Sequence, residues 1–334
     1  TLGFASSYIS LLPRKKFPSM DISGYGRSGT ILGDRSPTAT TFYGHSANVS
    51  YTRFIGSHEM RFGGDYRVIG MELFAEGQTS GSFGFTTGFT QGPNPLTAAT
   101  RTGDGFASFL LGYPASGSIT VGTPNNFYIN YYAAYFQDNW RVKPDFTLNF
   151  GLRWEGETGL NEKDSAFTVG FDRNKAFPVQ VPGMNLKGGL MYAGVDGNPT
   201  YQADPSMAKF APRVGFAWTL NTDTVVRGGY GLFWAPPQYP YPTESRMGTR
   251  GYTAATDYFA SADNGLTPAG TLTNPFPNGI DQPKGNAGGL LTGAGGNVDF
   301  VDQFSKPAYV HQYSIDVQRQ LPGSMAVHLG YIGT

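Results

Sequence analysis

The sequence has no cysteine, which removes disulfide scaffolds and thiolate metal sites from consideration. It has little charge. Asp, Glu, Lys and Arg make up 14% of the chain, against roughly 25% in an ordinary soluble domain. Neither sign dominates: Lys+Arg and Asp+Glu are both 24, so the formal net charge is +0. A nucleic-acid partner needs a basic face, so that class is set aside. Long apolar runs are missing as well. No stretch reaches the roughly 18 apolar residues of a transmembrane helix. Membrane strands stay open, because each needs only about 9–11 alternating residues. A signal peptide is also absent. Thr1 opens in mid-pattern and Tyr331-Ile332-Gly333-Thr334 reads as mid-strand, so the chain is expected to be a fragment of a longer protein.

What is abundant is glycine and aromatic side chains. Gly is 47 of 334 residues, about twice the usual share, and aromatics reach 15%. Period-2 alternation recurs throughout, while long 3.6-period segments do not occur. About eleven strands are expected, near 18–26, 40–55, 58–74, 80–90, 115–122, 126–141, 146–157, 208–220, 224–235, 309–320 and 325–333. One short helix is expected over 104–112, with Asp104 as N-cap and Gly112 and Pro114 as its stop.

The connections are unequal. Ile55-Gly56-Ser57, Val142-Lys143-Pro144-Asp145, Asn221-Thr222-Asp223 and Leu321-Pro322-Gly323-Ser324 are tight, whereas 158–207 and 236–308 are long. In an up-and-down meander counted from strand 40–55, the tight turns share one end and the long loops the other. That sorting is the outer-membrane barrel pattern of short periplasmic turns and long extracellular loops. The strand faces agree. Phe146, Leu148, Phe150, Leu152 and Trp154 alternate with Thr147, Asn149, Gly151, Arg153 and Glu155. Trp140, Trp154, Trp218 and Trp234 fall near strand ends on the apolar side, where an aromatic girdle belongs. Arg53, Asp138 and Arg319 interrupt the apolar face, all three at tight-turn ends within reach of lipid headgroups.

Several segments resemble TonB-dependent outer-membrane receptors. YAAYFQDNWRVKPDFTLNFGLRWE (132–155) is similar to their F-x-Q-D-x-W … L-T-L-N-x-G-L-R-W/Y hairpin. More narrowly, TLGFASSYIS, FPSMDISGYG, HEMRFGGDYR, GFASFLLGYP, KFAPRVGFAWTL, TVVRGGYGLFW and VHQYSIDVQRQLPGSMAVHLGYIGT resemble, in this order, the Oar-like subgroup. The resemblance implies an all-β, antiparallel, up-and-down transmembrane β-barrel of 22 strands around an N-terminal plug. Residues 1–334 would be one part of that barrel domain, without plug, TonB-contacting box or closing strand. It also implies an outer-membrane location, with membrane lipid, an unidentified solute and, through the parent protein's N-terminal region, the TonB complex as partners.

Other chemistry is weak. Gly24-Tyr25-Gly26-Arg27-Ser28-Gly29 spells GxGxxG, but no helix follows as a dinucleotide site requires. Gly44-His45-Ser46-Ala47-Asn48 lacks the last glycine of a nucleophile elbow. Asn48-Val49-Ser50 is a glycosylation sequon by spelling only. His45, His58, His311 and His328 show no metal-ligand spacing. No catalytic group, cofactor site or metal site is assigned. The polar-side charges Glu59, Arg61, Asp65, Arg67, Arg153, Glu155, Arg213, Arg227 and Asp316 are mixed in sign and read as interstrand ion pairs or as a wall facing the plug or a solute. For ligand contact the candidates are Tyr239, Tyr241, Tyr252, Tyr258 and Phe259 in loop 236–308, where aromatics among prolines offer stacking surfaces. The functional expectation is energy-coupled uptake of a solute, without enzymatic chemistry. The alternatives are an Oar-like structural, adhesive or export role, and a soluble carbohydrate-active β protein, which would need a paired-carboxylate site that the sequence does not show.

Overall fold

The computed structural model describes residues 3–25, 30–33, 39–75, 77–92, 102–179, 181–203, 207–235, 248–304 and 306–334. In chain order the elements are helix α1 (Ser6–Leu11) and strands β1 (Ser19–Ile22), β2 (Thr30–Leu32), β3 (Ala39–Ile55), β4 (His58–Ala75) and β5 (Ser82–Phe85). Helix α2 (Gly105–Leu111) is followed by β6 (Ser116–Gly122), β7 (Asn125–Lys143), β8 (Phe146–Glu157), β9 (Leu160–Glu162), β10 (Thr168–Ala176), β11 (Lys187–Tyr192) and β12 (Tyr201–Gln202). Then come β13 (Lys209–Asn221), β14 (Thr224–Trp234), β15 (Thr253–Asp257), β16 (Tyr309–Leu321) and β17 (Met325–Gly333).

Eight long strands pair in the spatial order β3-β4-β7-β8-β13-β14-β16-β17, each antiparallel to the next. Four hairpin turns set this meander. Gly56 takes φ 56°, a left-handed value suited to the two-residue link before His58. Pro144-Asp145 joins β7 to β8, with proline's fixed φ starting the turn. At Thr222-Asp223, the Asp223 amide donates to Asn221 Oδ1 at 3.0 Å. The last turn uses Gly323 at φ 81° and Ser324 at φ 59°. All four turns share one rim of the sheet, and every longer excursion leaves from the other.

The excursions are structured. β1, β2, β5, β6 and β15 form a second sheet in the order β15-β6-β5-β1-β2, with β1 parallel to β5. Its core is Tyr8, Met20, Ile22, Phe83, Phe85, Ile119, Tyr258 and Phe276. β6 ends at Gly122 and β7 begins at Asn125, so this cap is tethered directly to the loop rim. Helix α2 borders it as expected. Asp104 accepts hydrogen bonds from the Phe106 and Ala107 amides, and Gly112 closes the helix at φ 71°.

All eleven expected strands occur, but their grouping differs from a single meander. Three of them became β1, β5 and β6 of the cap. They are 4, 4 and 7 residues long, short of the roughly 9–11 that span a bilayer. Loops 158–207 and 236–308 also hold more order than expected. The first contains β9 to β12 and the second contains β15.

The long strands change character along their length. Near the turn rim, β4 carries Glu59, Arg61, Asp65 and Arg67 on one side, with Phe62 and Tyr66 exposed on the other. Near the loop rim the charged side becomes apolar, and Met71 and Leu73 are buried. β7 repeats this, with Phe127 and Ile129 buried above Tyr131 and Tyr135. Leu160, Phe167, Val169 and Ala193 cover them, so segment 158–207 folds onto the polar side of the sheet at its mouth.

Candidate functional site: a polar wall and its cap

Among the described residues, the apolar side of the sheet has no protein cover from its turn rim up to the Trp154–Phe210 row. Leu152, Phe210, Val214, Trp218, Ile315, Val317, Leu329 and Tyr331 are all exposed large hydrophobics. Each such side chain left in water forgoes about 1.5–3 kcal/mol of transfer free energy, so a continuous face of them marks contact with an apolar medium. The tryptophans bracket that face. Trp140 stacks on His58 with centroids 5.2 Å apart, and Trp218 packs edge-on against Phe146, both at the turn rim. Nearer the loop rim, Trp154 donates its indole N–H to Met207 O at 2.7 Å, and Trp234 donates to Phe210 O at 3.0 Å. Phe146, paired with Trp218, and Trp154 lie eight positions apart on β8 (146 to 154). That is about 26 Å of strand, or about 20 Å of height at a 40° tilt, close to the roughly 25 Å apolar band of membrane barrels.

Of the residues interrupting this face, Arg53 and Arg319 are exposed at the turn rim. Asp138 is different: its side chain is 4% exposed, and its Oδ2 lies 2.7 Å from His58 Nδ1. The imidazole partner was not legible in the sequence, because it comes from the neighbouring strand.

The polar side carries a connected network. Arg67 forms a two-pronged pair with Asp65 and lies 5.5 Å from the Tyr131 ring centroid. Arg153 donates to Glu155 Oε1 at 2.8 Å and to the Tyr131 hydroxyl at 3.0 Å, stands 3.7 Å from Asp65 Oδ2, and stacks over Tyr135. Arg227 donates to Gln318 at 2.8 Å, while Asp316 pairs with His328. Arg213 lies over the Phe233 ring at 4.6 Å, and Arg61 approaches Glu59 only to 3.9 Å. These charges are therefore mostly paired across or along strands, as mixed signs implied. Near the mouth, Lys209 Nζ lies 2.9 Å from Glu157 Oε1, off the line of a good hydrogen bond, so charge rather than geometry holds that buried pair.

Glycine opens the wall at defined places. A Cβ on Gly63 would fall 2.3 Å from the Tyr135 ring, which lies over that glycine from the next strand. Gly151 has no side chain between Gln137 and Arg213 in its cross-strand row, and a groove of about 470 Å³ opens there.

The five candidate loop residues are dispersed. Tyr239 and Tyr241 lie outside the described residues. Tyr258 is a buried member of the cap core. Tyr252 packs edge-on to Tyr192 at 6.0 Å, and burial first, then the neighbouring Tyr192 and Glu162, push its hydroxyl pKa up to about 12. Phe259 alone of the described three is openly exposed. Sequence reading passed over Glu162, which accepts from the amides of Asn126, Asp164 and Ala166 at 2.9, 2.9 and 2.7 Å and so knots the loop to β7. Glu162, two positions from Asp164 in a loop, carries no spacing signal.

The remaining motifs settle locally. His45 and Asn48 sit within β3, not on a strand-to-helix turn. Residues 26–29 of the GxGxxG stretch lie outside the described residues. Among the described residues, no cluster of three His, Cys, Asp or Glu side chains could hold a metal.

Comparison with known proteins gives one family and several solved folds. The outer membrane beta barrel domain family matches residues 1–334. No curated protein matches. The chain is similar to the closed form of the ferric-catecholate import receptor Fiu from Escherichia coli K12 (TM-score 0.34, 12% identity, 90% of this chain and 32% of that one). It is similar to the FrpB iron transporter from Neisseria meningitidis (TM-score 0.38, 12% identity, 90% and 29%). It is also similar to the ferric citrate transporter FecA in its unliganded form (TM-score 0.33, 12% identity, 91% and 29%). The chain spans about a third of the length of these structures.

Proposed function

The chain belongs to the outer membrane beta barrel domain family and resides in the outer membrane; from that premise we propose that it is part of the wall of an energy-coupled, TonB-dependent transporter. The observation that carries this reading is the pairing of an uncovered apolar face with a polar, largely charged opposite face over eight neighbouring antiparallel strands. Under it, the tight-turn rim is periplasmic and the capped rim extracellular. The polar face lines the lumen, and the plug and TonB-contacting segment belong to the rest of the parent protein.

The mechanism has no covalent step. The cap and the loops between strands receive a solute, with Phe259, Tyr252 and the two tyrosines at 239 and 241 as contact candidates. An inner-membrane complex then draws the plug aside and the solute passes along the polar wall. The test compares cells with and without the full gene, following depletion of solutes from the medium by mass spectrometry. One or more solutes should be depleted only when the gene is present, and depletion should stop when the proton gradient is collapsed. Depletion indifferent to the gradient contradicts energy coupling. No gene-dependent depletion, with the protein still in the outer membrane, moves the assignment to a structural, adhesive or export role.

A further inference from the structure

We propose that the groove beside Gly151 is an oxyanion site that binds a carboxylate- or phosphate-bearing solute. The argument begins with strand register. Arg61, Gln137, Gly151 and Arg213 form one cross-strand row over β4, β7, β8 and β13. In the next row toward the loop rim, Tyr135 and Arg153 are directly paired. Because position 151 has no side chain, the row is interrupted, and Gln137 and Arg213 border an empty place in the wall, with Arg61 one strand beyond Gln137. That place is the groove of about 470 Å³, lined by Arg61, Arg153, Arg213, Tyr135, Gln137 and Asn149 among others, with no carboxylate in its lining.

Among the described residues, two of the three arginines have acid partners and the third has none. Arg153 is tied to Glu155 and stands 3.7 Å from Asp65, and Arg61 meets Glu59 at 3.9 Å. Arg213 contacts an aromatic ring and, among the described residues, no acid. The Arg213 guanidinium borders the gap without a counter-ion among the described residues, and an oxyanion there supplies one while accepting paired N–H donors from its planar fork. The neutral members fit the same guest, since Gln137, Asn149 and the Tyr135 hydroxyl can all donate. The proposal rests on the polar face being the lumen wall; it does not require energy coupling.

Two sources could supply the oxyanion: a free solute, or an acidic side chain from another part of the parent protein. We assign it to a free solute. The experiment titrates the full-length protein in lipid nanodiscs with inorganic phosphate, following ³¹P line broadening at constant ionic strength. Wild type should broaden the signal saturably. Arg213→Gln and Arg61→Gln should each weaken binding about tenfold. Arg227→Gln, on the same face but outside the groove, should bind like wild type. Equal binding by all four proteins overturns the site. Absence of binding in wild type overturns the free-solute assignment. If that absence is accompanied by a lower melting temperature in Arg213→Gln but not Arg227→Gln, an acidic side chain of the parent fills the groove. Any of these failures leaves gradient-dependent depletion untouched, so the transport reading stands or falls separately.

Discussion

Asp138 shows how a single residue is made tolerable in an apolar setting. A buried carboxylate without a partner costs several kcal/mol, and the His58 imidazole 2.7 Å away offsets that cost. Removing the histidine alone should destabilise the full-length protein by roughly 3 kcal/mol, while His58→Ala with Asp138→Asn should recover much of the loss. Urea unfolding in micelles measures both, and additive losses would show that the pair is not coupled. The sequence showed that Asp138 broke the alternation near a turn. It could not show the rescue, because His58 lies 80 residues away and meets Asp138 only through the β4–β7 register. The same limit applies to Tyr258. Its loop reads as exposed, yet tertiary packing draws the ring into the cap core.

Strands were legible because each long one carries its own period. The expected 146–157 is β8, residue for residue, and the expected 40–55 is β3 with one residue added. What could not be read was pairing among short segments. β1 runs parallel to β5 across sixty residues, and β9 to β12 are 2 to 9 residues each, too short or too rich in glycine to show alternation. Two element-level outcomes follow. Gly63→Ala would drive a methyl into the Tyr135 ring and should cost about 1–3 kcal/mol, with Gly63→Ala/Tyr135→Leu recovering stability in the same unfolding assay. Phe167, fully buried between segment 158–207 and β7, should cost about 3–5 kcal/mol when cut to alanine. Limited proteolysis would then cleave within 158–207 first. Unchanged cleavage would mean that Phe167 does not hold the segment onto the mouth.

On the scale of the whole molecule, one sheet serves two surroundings. Its turn-rim half turns hydrophobic side chains outward and charge inward; at the loop rim, β4 and β7 bury apolar side chains on the formerly charged side, beneath chain returning from the loops. The exchange happens near Val68 on β4 and Tyr131 on β7. It explains why β4 and β7, at 18 and 19 residues, are far longer than a bilayer needs. Charge should therefore be tolerated unequally on the two faces. Tyr313→Arg, in the row of Phe150 and Val214 midway between the two tryptophan belts, should cost about 2–4 kcal/mol, and Ser314→Arg close to nothing. Equal costs in vesicle unfolding would remove the distinction between the faces. The most direct test places nitroxide labels one at a time at Ile315, Asp316, Val317 and Leu329 in the full-length protein in bilayers and compares collisions with oxygen and with a water-soluble nickel chelate. The account predicts oxygen access at 315, 317 and 329 and nickel access at 316. Labels at 315, 317 and 329 that meet the nickel chelate, or neither reagent, would contradict it, placing that face in water or in a protein core rather than in lipid.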